Sequence, residues 1–394
     1  MTFYSDPAFF VLAIAAAIPA FIAIMLGKNV KRYGMAVSCA FLLLLFSDNL
    51  PTFAFFCFYI ALASAVTLVY ARACKRDRGN GTPYAAALIA VIAPLAIYKV
   101  AEVFEATVFG FIGISYMTFK AVQVIIETRA GLIKDPSLFD YLYFLLFFPS
   151  FTSGPILRSR SFSEEVNSVP SREEYLGMVS LGISRLALGA LYKFVLASAF
   201  STAMWFIPKA LGDASALSVI GSEIGYAYAY GLYLFFDFAG YSLMAMGLGA
   251  FFGVNVPKNF DMPFMSVDIK DFWNRWHMTL SFWLRDFVFM RFSRLALRKK
   301  LFKSRLNTAC AGFIVNMTLM GAWHGLTFDY VLYGVYHGVL LAATEAYQKK
   351  SGFHKRNKGK GWYKALSWFV TLNLVMLGFA VFSGQVSSLL KGAI

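Results

Sequence analysis

Apolar stretches long enough to cross a lipid bilayer recur along the whole chain, and this limits the possible folds most. They lie at roughly 8–27, 33–47, 50–71, 83–98, 102–126, 138–151, 175–207, 216–252, 306–323, 326–347 and 364–390. A membrane-spanning helix takes about 20 such residues, and 59% apolar against 14% charged residues is far from the balance of soluble proteins. We therefore predict an all-α, polytopic integral membrane protein in which residues 1–394 form a single membrane domain. About ten or eleven transmembrane helices are expected, with short re-entrant or interfacial helices beside them.

The positions of lysine and arginine predict the orientation, because short cytoplasmic loops carry an excess of positive charge. Basic clusters follow the first and third stretches and precede the last, whereas the turn at 47–49 has none. Both chain ends are therefore expected outside the cytoplasm. The four cysteines show no metal-ligand spacing, so we predict no metal site, and no nucleic-acid partner is expected.

A basic segment at 291–305 holds seven cations and no acidic residue. One interpretation is positive-inside topology and contact with anionic lipid alone. The other is a docking surface for an acidic protein, because apolar side chains between the charges would hold a partner that the charges steer. The candidate docking residues are Arg291, Arg294, Arg298, Lys299, Lys300, Leu301 and Lys303.

Two of the four histidines lie in or beside apolar segments, where the neutral imidazole is favoured and can accept a proton. His277 lies at the edge of an apolar stripe with helical spacing in 268–287, which predicts one amphipathic helix. Asp271, four residues before Arg275, predicts an ion pair on its other face. His277 is either a site residue or a hydrogen-bonded core residue.

His324 is bracketed by Gly321 and Gly325, and glycine permits close backbone approach. The predicted orientation of the chain would place His324 in the outer half of the membrane or at a helix break within the membrane. An ionisable side chain at such depth suggests a functional role. For His337, thirteen residues later, an interhelical hydrogen bond is the favoured role.

Irregular backbone is predicted at 147–155, where two prolines and a glycine interrupt an aromatic run. It either shapes a pocket, as buried non-helical backbone can, or simply ends a span. Lys193 and Asp237 also lie in apolar surroundings, where they would pair internally or meet a polar substrate.

Taken in order, several motifs resemble those of the membrane-bound O-acyltransferase superfamily. They are Gly113-Ile114-Ser115-Tyr116, Phe148-Pro149 with Ser153-Gly154-Pro155, Asp237-Phe238-Ala239-Gly240-Tyr241-Ser242, Asn259-Phe260-Asp261, Phe272-Trp273-Asn274-Arg275-Trp276-His277 and Trp323-His324-Gly325. The resemblance implies a catalytic core at 113–338. It also implies that His324 is the catalytic histidine of the family and His277 its second active-site position. Trp323, Asn274, Trp273 and Ser153, which belong to these motifs, are candidate substrate-pocket residues.

Within the superfamily, the phrases Ala121-Val122-Gln123 and Trp276-His277-Met278-Thr279 are most similar to the branch that transfers D-alanine toward lipoteichoic acid. This similarity implies a multi-pass protein of the bacterial plasma membrane. The donor would be a phosphopantetheine thioester on a small acidic carrier protein, so the chain itself would bind no cofactor. A second membrane-anchored protein of the same system is the other expected partner. O-acetylation of an extracytoplasmic polysaccharide is the alternative enzyme activity, and a transporter or a non-catalytic scaffold is the alternative outside enzymes.

Overall fold

The structure is a computed structural model that describes residues 2–104, 110–207 and 216–392. Within those ranges the chain is helical and contains no strand. The first helices are α1 (Pro7–Met25), α2 (Lys31–Phe46), α3 (Leu50–Arg76), α4 (Gly81–Val103), α5 (Ile114–Arg129), α6 (Leu138–Leu146), α7 (Ser159–Asn167), α8 (Arg172–Ala190) and α9 (Ser198–Phe206). They are followed by α10 (Ala216–Phe251), α11 (Ile269–Arg275), α12 (Met278–Leu284), α13 (Met290–Arg298), α14 (Arg305–His324), α15 (Phe328–Lys350), α16 (Gly352–Asn357), α17 (Gly361–Phe382) and α18 (Gln385–Gly392).

Six helical segments in the described ranges are long and apolar enough to cross a membrane: Pro7–Met25, Leu50–Arg76, Gly81–Val103, Arg172–Phe206, Ile220–Phe251 and Gly361–Phe382. The prediction of an all-α polytopic membrane protein is confirmed, although six is fewer than the ten or eleven spans predicted. Several apolar stretches form helices that are too short, because α2 and α5 have 16 residues each and α6 has nine. Helices α14 and α15 are long enough but carry more polar residues.

The chain divides into two compact units, residues 1–190 with 241–258 and residues 191–240 with 259–394. The single membrane domain, with its core at 113–338, stays a prediction.

In the first unit, the predicted irregular backbone is confirmed at the end of α6. Helix α6 ends at Leu146 and a 3₁₀ turn follows it at Phe148–Ser150. The residues after this turn form bends rather than helix. The carbonyl of Pro149 accepts a hydrogen bond of 3.0 Å from the Tyr4 hydroxyl, and the Ser153 N–H donates to the Tyr241 hydroxyl at 3.2 Å. These buried backbone groups are therefore satisfied by side chains instead of a helix.

In the second unit, α14 and α15 pack against each other through glycines. A Cβ on Gly321 would lie 2.3 Å from the Tyr330 carbonyl oxygen, and one on Gly334 would lie 2.4 Å from the Met317 carbonyl oxygen. Only glycine permits this approach, which brings the end of α14 against the start of α15. In the same unit Lys193 forms an ion pair with Asp237, so the internal pairing considered for these two residues is confirmed.

Candidate active site

His277 lies at a break between two short helices. Helix α11 ends at Arg275, α12 begins at Met278, and His277 itself is left-handed with φ 43° and ψ 49°. The prediction of one amphipathic helix over 268–287 is therefore wrong. The predicted ion pair within α11 is confirmed, since Asp271 Oδ1 lies 2.7 Å from Arg275 Nε.

Asn259 causes the break and fixes the ring of His277. Its backbone carbonyl accepts from the Met278 N–H at 2.8 Å. Its side-chain Oδ1 accepts from the N–H of Thr279 at 3.2 Å and from the Thr279 hydroxyl at 2.9 Å. The N–H of Thr279 can only donate, so the side-chain atom of Asn259 that it contacts is the amide oxygen and not the amide nitrogen.

The same oxygen lies 3.2 Å from His277 Nδ1. An amide oxygen only accepts, so Nδ1 carries the proton, and in a neutral ring the lone pair is on Nε2. The hydrogen-bond pattern of Asn259 therefore assigns one tautomer to His277. Its Nε2 is the nitrogen that can accept a hydrogen bond or a proton.

The surroundings of His277 keep the ring neutral. It is 3% exposed, and the Phe238 ring meets it edge-on with centroids 4.7 Å apart. Burial lowers the pKa of His277 well below its ordinary value, and the charge of His324 contributes in the same direction. This interaction indicates that the two histidines lie within electrostatic reach of each other.

His324 is the last residue of α14 and is half-buried among aromatic rings. Ring centroids lie 4.5 Å away for Trp323, 5.0 Å for Phe382 and 6.1 Å for Tyr330. The close approach predicted at Gly325 is confirmed, because a Cβ there would lie 2.5 Å from the Tyr330 ring. The aromatic rings and the tight turn restrict how the His324 ring can move.

Trp273 is held by His337, whose interhelical hydrogen bond is thereby confirmed. The indole Nε1–H donates to His337 Nδ1 at 3.3 Å, which joins α11 to α15. His337 is fully buried, and its other ring nitrogen faces Gly378 in α17. The donor-only indole requires an unprotonated Nδ1, so His337 positions Trp273 and is not available as a base at that atom.

A cavity of about 230 Å³ is lined by residues of α11, α12 and α14. Two of the candidate pocket residues, Trp273 and Asn274, line it, together with Leu280, three residues after His277, and Met320, four before His324. The buried Oδ1 of Asn316 also belongs to a residue lining this cavity and has no hydrogen-bond partner among the described residues. An apolar cavity with a few polar groups is typical of a small-molecule site, and the amide oxygen of Asn316 can accept from a ligand N–H or O–H.

The sequence of residues 49–384 matches that of the membrane-bound O-acyltransferase (MBOAT) family. The chain belongs to this family. It is 40% identical to a teichoic acid D-alanyltransferase of Streptococcus thermophilus, over 98% of this chain and 96% of that protein. It is 38% identical to a teichoic acid D-alanyltransferase of Bacillus subtilis, over 98% of both chains. A probable alginate O-acetylase, AlgI, of Pseudomonas aeruginosa is 31% identical over 70% of this chain and 49% of its own length.

The basic segment of this MBOAT protein forms an exposed surface on α13 and the turn after it. Of the candidate docking residues only Arg291 is half-buried, while Arg294, Arg298, Lys299, Lys300, Leu301 and Lys303 are exposed. Leu295 and Leu297 are 43% and 48% exposed between them. The surface therefore combines cations with apolar side chains, as a docking site requires.

One unbroken helical run links the basic surface to His277. Helix α12, a π-helical segment at Arg285–Phe289 and α13 follow one another without interruption from Met278 to Arg298. At about 1.5 Å per residue, the first turn of α13 is about 20 Å from His277. Short π segments inside helices are frequent at functional sites.

The structure also contains contributors that the sequence did not identify as site residues. Asn259 and Phe238 contact His277 directly, and Asn316 lies in α14 two turns before His324. Asn259 and Phe238 both belong to family motifs, and this was the signal in the sequence that could have identified them. Of the remaining predicted pocket residues, Trp323 packs on His324, whereas Ser153 lies in the first unit.

Proposed function

We propose that this MBOAT protein transfers D-alanine from a carrier-protein thioester to a hydroxyl group of teichoic acid, with His324 as the general base. Similarity to teichoic acid D-alanyltransferases over nearly the whole length of both chains carries the proposal. Acyl transfer to a hydroxyl also needs a base beside the reacting atoms, and the cavity lined by α12, which follows His277, and by α14, which ends at His324, offers such a place.

In the proposed reaction, a ring nitrogen of His324 takes the proton of the acceptor hydroxyl as its oxygen attacks the thioester carbonyl carbon. The new C–O bond forms and the C–S bond breaks. The imidazolium then returns the proton to the departing thiolate, so that the products are a D-alanyl ester and the free thiol. The aromatic rings packed around His324 hold the imidazole in place for this step.

The tautomer of His277 limits the role that it can take. Its only N–H is already donated to Asn259, so the neutral ring cannot also donate to the oxyanion that develops on the carbonyl oxygen. The Nε2 lone pair can accept from a hydroxyl or thiol, which suits a residue that orients a substrate group. We therefore assign orientation of the substrate to His277, and stabilisation of the oxyanion to other donors.

The donor would arrive at the exposed basic surface at 291–303. The cations of this surface would attract an acidic carrier protein, because complementary charge increases the rate at which two proteins meet. A folded carrier cannot enter the membrane, so its phosphopantetheine arm would have to reach inward. We assign the cavity beside Trp273 and Asn316, which carries polar groups, to the end of this arm. The thioester group belongs to the carrier, and the chain needs no bound cofactor of its own. The second membrane-anchored partner rests on the family resemblance alone.

O-acetylation of a polysaccharide is less well supported. The alginate O-acetylase relative aligns over 70% of this chain and about half of its own length, 49%, against 96–98% of the D-alanyltransferases. A transporter or scaffold would not require His324 as a base, so a loss of transfer with carrier binding intact distinguishes the enzyme from both.

The test is the D-alanine ester content of teichoic acid in cells whose only copy carries His324→Ala. We expect the ester to disappear while the membrane level of the protein and carrier binding stay normal. A triple variant, Arg298→Glu, Lys299→Glu and Lys300→Glu, should lose carrier binding. The matched triple reversal Arg72→Glu, Arg76→Glu and Lys134→Glu, at exposed positions of the other unit, should not. Unchanged ester content in His324→Ala cells would refute the proposed base, and acetyl ester in place of D-alanyl ester would favour the alternative.

A further inference from the structure

A cleft of about 640 Å³ lies between α15 and α17 and is bounded at one end by α16. Part of its lining is apolar, formed by Leu340 and Ala343 of α15 and by Val370 and Leu374 of α17. Val370 is 46% exposed and so is accessible from outside the protein. Helix α17 is one of the segments able to cross a membrane, so the hydrocarbon of the bilayer would lie beside this part of the cleft.

The other end of the cleft is polar and basic. Residues 349–364 contain seven lysines and arginines and no acidic residue. Two of them, Lys358 and Lys364, line the cleft, are exposed, and form no ion pair with any described residue. Lys349, in contrast, pairs with Glu345 at 2.7 Å. Two cations at the cleft mouth thus have no protein counter-charge.

Hydrogen-bonding side chains lie beside these cations. His354 Nδ1 is 2.9 Å from the Tyr363 hydroxyl, which donates to the Tyr347 hydroxyl at 3.3 Å. The one carboxylate lining the cleft, that of Asp268, accepts from Gln348 Nε2 at 2.9 Å and caps α11. Its negative charge is therefore engaged by protein donors and does not pair with the two lysines.

We propose that this cleft binds an anionic phospholipid, with its phosphate between Lys358 and Lys364 and one acyl chain along Val370 and Leu374. An apolar groove beside the bilayer with two uncompensated cations at its mouth matches the two halves of such a lipid. The basic loop is predicted to lie on the cytoplasmic side, where anionic lipids give the membrane surface a negative potential. The cleft is lined by neither His277 nor His324, and the proposal does not depend on the proposed transfer reaction.

The experiment measures binding of phosphatidylglycerol and phosphatidylcholine to the purified full-length protein in detergent, by native mass spectrometry. We expect phosphatidylglycerol to bind more tightly, and Lys358→Gln with Lys364→Gln to weaken it roughly 30-fold, which corresponds to about 1 kcal/mol for each lysine near an anionic surface. The matched control is Lys355→Gln with Arg356→Gln, which removes the same charge from exposed positions of α16 that do not line the cleft.

An apolar variant tests the other half of the site. Ala343→Trp would fill the space between α15 and α17, so it should weaken binding of phosphatidylglycerol although every cation remains. The proposal would be overturned if the control pair Lys355→Gln with Arg356→Gln weakened binding as much as Lys358→Gln with Lys364→Gln. Equal affinity for both lipids, or normal binding of phosphatidylglycerol to Ala343→Trp, would also overturn it. Competition by inorganic phosphate at the affinity of the lipid would show instead an ion site without an acyl-chain groove.

Discussion

Replacement of Asn259 by alanine tests the assignment of the His277 tautomer. The substitution removes one oxygen that accepts from His277 Nδ1, the Thr279 N–H and the Thr279 hydroxyl. A net hydrogen bond contributes about 1 kcal/mol, and a buried group left unsatisfied costs about 1–3 kcal/mol. We expect the free energy of unfolding to fall by about 2–3 kcal/mol. Loss of the bond to His277 removes about 1–1.4 kcal/mol of preference for one tautomer, which lowers the population of that tautomer from about 85–90% to about half. Transfer should therefore slow about twofold.

Two matched variants separate the tautomer from general stability. Thr279→Val removes one donor to Asn259 but leaves the His277 bond, so it should destabilise the protein by about 1 kcal/mol and preserve the transfer rate. Asn259→Asp keeps an accepting oxygen and should retain most of the rate. The assay is single-turnover transfer of radiolabelled D-alanine from its carrier in proteoliposomes. The tautomer assignment would be refuted if Thr279→Val slowed transfer as much as Asn259→Ala does. It would also be refuted if Asn259→Ala transferred at the wild-type rate.

Three further predictions concern neighbouring groups. Trp273→Phe keeps the ring but leaves His337 Nδ1 without its donor, so thermal unfolding should show a loss of about 1–3 kcal/mol, and no change would mean that the bond contributes nothing. Gly378→Ala would place a Cβ 2.5 Å from His337 Nε2 and should cost about 1–3 kcal/mol, whereas Gly361→Ala in the same helix, with no atom within 4 Å, should be neutral or stabilising. Because burial lowers the pKa of His277, its ring should stay neutral as the pH falls through about 6.5, where an ordinary histidine gains a proton. In a His277-selective NMR titration, a midpoint near that ordinary value would contradict the burial of the ring.

Local patterns predicted local structure well. The pair of Asp271 and Arg275 follows from helical spacing alone, and the irregular backbone around Pro149 follows from the missing N–H of proline. Both depend on residues that are close in sequence, so no knowledge of the fold was needed.

The break at His277 could not be predicted in that way. It is imposed by Asn259, 18 residues earlier in the chain, whose backbone and side chain bind both sides of the turn. The apolar spacing of 268–287 fits one helix, and only a contact made by the folded chain reveals two. For Lys193 and Asp237 the sequence left two possibilities, internal pairing or contact with a substrate, because 44 residues separate the partners and only the fold brings them together. For the same reason the sequence identified His277 and His324 but not the side chains that orient them.

The unbroken helical run from Met278 to Arg298 makes the length of this segment matter more than its sequence. Each residue of an α-helix turns its successor by about 100° and advances it by 1.5 Å. One inserted or deleted residue between the histidine and α13 would therefore rotate the basic residues by more than a quarter turn away from their present direction. The π-helical segment at Arg285–Phe289, whose turn is wider than that of an α-helix, contributes to the direction in which the residues of α13 now face. Natural variants of this segment should exchange residues freely on its outer face, while gaps in it should be rare.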